Sequence, residues 1–157
     1  MQQDNSVLKE IQFPNSVFLP EVVKLINEGH TATIRLRGFS MRPFLEDNRD
    51  KALLTKPVSF NIGDPVLAEI RPGFFVLHRI INIDKQQNLV VLRGDGNIST
   101  ESCRLQDVKA TVVGFYRKGR KDIDLVSGRK WKIYSKIWTA LYPIRRYLLF
   151  VYRHIFI

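Results

Sequence analysis

Ser40 stands in the run Gly38-Phe39-Ser40-Met41-Arg42-Pro43, a setting in which a hydroxyl can become a nucleophile. A serine oxygen attacks a carbonyl only when a neighbouring base takes its proton. It gains further on a bend, where backbone N–H groups, that of Ser40 included, can hold the developing oxyanion. An alternating strand pattern ends at Gly38, which tolerates unusual backbone angles, and Pro43 keeps that strand from resuming. Ser40 is therefore expected on a turn. Serines at strand–turn junctions are common, so this segment alone does not establish chemistry.

The other chemically capable residues are ambiguous when taken singly. His78 lies in the apolar run Phe74-Phe75-Val76-Leu77-His78-Arg79-Ile80-Ile81 and alone reads as a hydrogen-bonded core histidine. Asp95, in Gly94-Asp95-Gly96-Asn97, alone reads as the stabiliser of a hairpin turn. Asp50 and Asp64 read as turn or strand-edge residues, and His30 and His154 have no partner in the sequence. Their combination with Ser40 is what points to catalysis.

The order of these segments resembles the superfamily that joins signal peptidases to LexA-type self-cleaving repressors. The similarity rests on Ser40-Met41-Arg42-Pro43, on Gly63-Asp64-Pro65-Val66 ahead of an apolar strand, and on two later motifs between there and Gly114. In that superfamily the serine of Ser-Met-x-Pro is the nucleophile, and a later β-strand supplies its base. Most bacterial members use lysine; the archaeal and endoplasmic-reticulum signal peptidases use histidine. His78-Arg79-Ile80 is similar to the histidine-type signature, which implies His78 as general base. Gly94-Asp95-Gly96-Asn97 is similar to the Gly-Asp-x-Asn turn of those relatives, with Glu101 where a second acid stands. The resemblance thus implies an acid that orients His78, with Asp95 as first choice and Glu101 as second.

The implied roles suit the side chains. An imidazole accepts a proton near neutral pH without special tuning, whereas a lysine must be deeply buried to lose its charge. A carboxylate on the far ring nitrogen fixes the tautomer, as in a Ser–His–Asp arrangement. Three departures stand out. Gly38 replaces the hydroxyl residue that most signal peptidases carry two positions before the nucleophile, and Arg49-Asp50 replaces the usual Gly-Asp. The N-terminal run MQQDNSVLKEIQF also has no apolar stretch, so neither a secretory signal nor the family's membrane helix is expected there.

The elements that must position these residues are mostly strands. Residues 1–29 read as an extension carrying a short amphipathic helix, with Leu19, Val22, Leu25 and Ile26 on one face, Pro20 in its first turn and Gly29 at its end. Residues 30–117 read as a β-rich peptidase domain of six or seven strands, the runs 74–83 and 89–93 forming a hairpin. Residues 118–157 read as a basic connector and an amphipathic aromatic tail. There Tyr134, Ile137, Trp138, Leu141 and Tyr142 share a face opposite Lys132, Ser135, Lys136 and Thr139, and Pro143 interrupts the helix. The expected fold class is mainly β, of the LexA and signal-peptidase type, with a short N-terminal helix and a C-terminal amphipathic helix.

Charge separates the tail from the body. The net charge is +10, yet residues 117–153 hold eleven Lys or Arg against Asp122 and Asp124, so the first 116 residues are nearly neutral. A neutral body with a basic, aromatic tail points to a membrane surface, contacted through residues 131–157, and not to nucleic acid. The single cysteine, Cys103, leaves no internal disulfide or thiolate cluster, and neither metal nor cofactor is expected. The sequence reading is therefore a serine endopeptidase that cleaves an extended leader or precursor peptide, peripheral to a membrane and on its cytoplasmic side. Two alternatives accompany it: a LexA-like self-cleaving regulator, and a non-catalytic relative that only binds peptides.

Overall fold

The computed structural model describes residues 14–157, so the reading of the first thirteen residues lies outside the described residues. Helix α1 spans Asn15–Asn27. Strands follow at Ala32–Arg35 (β1), Lys51–Thr55 (β2), Pro65–Arg71 (β3), Phe74–Asp84 (β4), Leu89–Arg93 (β5), Glu101–Cys103 (β6), Val108–Tyr116 (β7) and Asp124–Leu125 (β8). Helices α2, Arg129–Ala140, and α3, Arg145–Phe156, are separated by a 3-10 turn at Tyr142–Ile144. The fold is mainly β. One curled antiparallel sheet runs β1-β2-β7-β3-β4-β5-β6, with β8 paired to β7.

The alternating runs form the strands they predict, with one boundary moved. β1 stops at Arg35 rather than at Gly38. Leu36 still donates to the Asp50 carbonyl at 2.9 Å and accepts from Asn48 N–H at 2.8 Å, so the chain leaves the sheet gradually. The hairpin is β4–β5, with Asp84 opposite Leu89. β6 and β8 are too short to leave a periodic signal.

Helix α1 starts earlier than expected, directly after Pro14, whose carbonyl accepts from Val17 and Phe18 at 3.0 Å. Pro20 consequently lies inside the helix and on its exposed side, where one freed carbonyl can meet water. Leu19, Val22 and Ile26 form the buried stripe, while Leu25 is exposed. The helix ends at Gly29, whose φ of +94° is a left-handed backbone that a residue without Cβ adopts freely.

Two cores lie on the curled sheet. The larger joins α1 to β1, β2 and β7 around Ile26, Leu54 and Phe115, and the smaller gathers Val66, Ile80, Val90 and Leu92 with Cys103. Each fully buried aliphatic or aromatic side chain contributes roughly 1.5–3 kcal/mol. Burial pushes the Cys103 thiol up to about 11, which makes it a packing residue rather than a reactive one.

α2 buries Trp131, Ser135 and Trp138, with Tyr134 partly covered beside them. Ser135, expected on the outer side, faces inward because Arg79 of β4 donates to its hydroxyl. Ile137, expected inside, is exposed. The connector is anchored by Asp124, which pairs with Arg117 at 2.8 Å and with Lys130 at 3.0 Å.

Candidate active site

Residues 36–50 carry Ser40 on a tightly fastened turn. Gly38 has φ +84°, the left-handed conformation that its lack of Cβ allows, and its N–H donates to Asp47 Oδ1 at 2.7 Å. Asp50 is fully buried and takes the Glu46 N–H at 2.9 Å together with two bonds from the Arg49 guanidinium. It is a fastening of the turn, as Asp64 is of the Asn61 turn, where it accepts the Asn61 N–H at 2.8 Å. The Ser40 N–H donates to no backbone carbonyl among the described residues.

The turn 94–97 packs directly against this loop. Gly96 N–H donates to the Ser40 carbonyl at 2.8 Å. A Cβ at Gly94 would collide with that same carbonyl and would stand 3.1 Å from His78 Nε2, while a Cβ at Gly96 would lie 2.6 Å from the Phe39 carbonyl. Both glycines are needed for close backbone approach. Gly94 is the point at which the Ser40 backbone and the His78 ring meet.

His78 projects from β4 and is 3% exposed. Its Nδ1 lies 2.9 Å from Glu101 Oε2. A carboxylate can only accept, so Nδ1 carries the proton and Nε2, on the Gly94 side, presents a bare lone pair. Burial holds the imidazole below its ordinary value despite the Glu101 carboxylate, whose charge and hydrogen bond act the other way. At neutral pH His78 is therefore uncharged and able to accept a proton.

Asp95 does not orient His78. It is buried in a two-bond pair with Arg79, Nε to Oδ1 at 2.9 Å and Nη2 to Oδ2 at 2.7 Å. Tyr134 Oη donates to the same carboxylate at 2.8 Å, and Trp138 Nε1 donates to the Asp95 carbonyl at 3.0 Å. Successive strand residues point to opposite faces, so His78 and Arg79 each take one acid. The first choice, Asp95, is thus replaced by the second, Glu101. Asp95 instead fastens α2 to the back of the site, a contact to which Tyr134 and Ser135 contribute without any signal in sequence.

Ser40 and His78 line one cleft, with a volume of about 130 Å³, together with Met41, Leu45 and Leu67. Helix α1 closes part of it through Asn15, Phe18 and Leu19. No hydrogen bond joins Ser40 to His78 among the described residues; in apo sites such bonds often tighten only around a substrate. Two strand edges border the cleft. Among the described residues β1 is the sheet's terminal strand, and β4 pairs with β5 only from Arg79 onward, so Phe74–His78 has no described strand partner on that side.

No family model matches the chain, and no curated protein matches it.

Proposed function

We propose that the protein is a serine endopeptidase in which Ser40 attacks the scissile carbonyl and His78 is the general base. The observation that carries this reading is the buried, neutral His78, held through Nδ1 by Glu101 at 2.9 Å with Nε2 directed to the Ser40 turn. Ser40 gives its proton to Nε2, and its oxygen bonds to the peptide carbonyl carbon. The Ser40 N–H steadies the oxyanion. His78 then returns the proton to the leaving amine, whose departure leaves an acyl-serine. Water, deprotonated by the same nitrogen, hydrolyses that ester and restores the hydroxyl.

The cleft favours an extended substrate. A peptide laid along Phe74–His78, in the cleft it shares with residues 34–38, would hydrogen-bond to the β4 backbone as an added strand does. The small space between Met41, Leu45 and Leu67 favours small side chains near the cut. Incubation with a library of small-residue peptides tests the proposal, the expectation being cleavage that Ser40→Ala abolishes. Cleavage unchanged in Ser40→Ala would refute it.

The lack of a Ser40–His78 hydrogen bond favours one second reading, a module that binds extended peptides without cutting them. Peptide binding that is equal in the parent and in Ser40→Ala, with no product from either, would establish that alternative.

A further inference from the structure

Helices α2 and α3 each spend one face on the body of the protein. α2 does so through Trp131, Ser135 and Trp138, and α3 through Arg145 and Leu149. Their outer faces combine apolar and cationic groups. Tyr147, Phe150 and Ile155 of α3 are 70%, 61% and 67% exposed, and Ile133 and Ile137 of α2 are also exposed. Arg129, Lys132, Lys136, Arg146 and Arg153 stand exposed among them. From Leu125 to Ile157 the chain has no Asp or Glu.

We propose that these outer faces dock the protein on an anionic lipid bilayer. A water-exposed helix gains nothing from aromatic and branched side chains, and a second copy would bring cations against cations with no acid on either side. An anionic bilayer satisfies both components, since its headgroups attract the cations and its interfacial zone accepts the apolar side chains. Helices of 12 residues extend about 18 Å, short of the roughly 30 Å of hydrocarbon, so they lie along the surface. No helix among the described residues is long and apolar enough to cross a membrane.

The inner side of α3 packs on the Ser40 turn. Tyr152 Oη of α3 donates to Glu46 Oε1 at 2.7 Å, and Glu46 also pairs with Arg42 at 3.0 Å. Arg42 lies over the ring of Phe39, which is 58% exposed and shares a shallow groove with Leu149, Arg153 and Ile157. Docking of α3 would therefore bring the Ser40 turn, through Glu46 and Arg42, near the lipid headgroups. That consequence for a substrate rests on the peptidase reading; the docking itself does not.

Sedimentation of full-length Ser40→Ala protein with vesicles tests docking apart from catalysis. Partition onto phosphatidylcholine vesicles containing phosphatidylglycerol should exceed that onto phosphatidylcholine alone by about tenfold or more and fall as salt is raised. The pair Arg146→Gln and Arg153→Gln should lower partition about tenfold. Phe150→Glu with Ile155→Glu should abolish it at unchanged circular dichroism. Equal partition onto both vesicle types, none onto either, or unaffected binding by the charge variants would overturn the proposal. So would self-association in lipid-free solution that Phe150→Glu removes, since the face would then be a contact between copies.

Discussion

His78 Nδ1 and Glu101 Oε2 lie 2.9 Å apart, and this pair sets which nitrogen of the imidazole faces the Ser40 turn. Arg79, the next residue along β4, takes Asp95 on the opposite face of the sheet. The two acids of one short segment are thus divided between adjacent strand residues. One serves the ring and the other serves the packing of α2.

This division separates two substitutions. Glu101→Gln should lower activity by roughly 10²-fold, because the amide no longer fixes the tautomer or steadies the imidazolium. Its effect on thermal unfolding should be small, since the Glu101 side chain is 27% exposed. Asp95→Asn should instead destabilise the fold by about 3–5 kcal/mol, as removing one partner of a buried pair does. Melting curves beside peptidase rates check both, and a milder effect of Glu101→Gln than of Asp95→Asn on the rate of folded protein would reverse the assignment.

Gly94→Ala should silence the site. The added methyl meets the Ser40 carbonyl and comes within 3.1 Å of His78 Nε2, so loop and ring must separate. The expected cost is about 1–3 kcal/mol of stability, with loss of serine labelling in the protein that remains folded. Gly119→Ala, which strains a turn at φ +80° but meets nothing near its Cβ, is the comparison, and should leave labelling intact in the folded protein.

The pH dependence follows from burial of His78. Its folded value is lowered, so the neutral, base-competent form persists below the ordinary 6.5. Acylation rate should rise with pH to a midpoint below 6.5 and then stay level through neutrality. For stability, the unfolded chain binds the proton more readily than the folded one. His78 therefore destabilises the fold as pH falls below about 6.5, until the folded value is passed, and contributes no pH dependence well above 6.5. In His78→Gln, that part of the acid destabilisation should vanish from denaturant melts.

Much of the sheet was legible because one strand face is buried. The alternation in residues 31–38 and the short runs at 51–56, 74–83 and 89–93 are what the pairing β1–β2 and β4–β5 requires. β8 was not legible, since two residues acquire strand form only by pairing with Gly114 and Phe115. Ser135 was misplaced for a related reason. A small hydroxyl on a basic helix reads as solvent-facing unless the buried guanidinium beneath it is known. The same guanidinium misdirected the choice of acid. Gly-Asp-Gly-Asn marks a close approach of two backbones, but spacing alone does not tell whether Asp95 faces His78 or Arg79. Tyr134 and Trp138 complete the Asp95 site from 39 and 43 residues away, a distance no local pattern spans.

Intact-mass analysis after treatment with a serine-reactive fluorophosphonate tests the central claim most directly. The account predicts one covalent adduct per chain, mapped to Ser40 by peptide sequencing, absent in Ser40→Ala and strongly reduced in His78→Ala of unchanged circular dichroism. Full-length, folded protein that takes no adduct, or that is labelled equally when Ser40 is alanine, would contradict it.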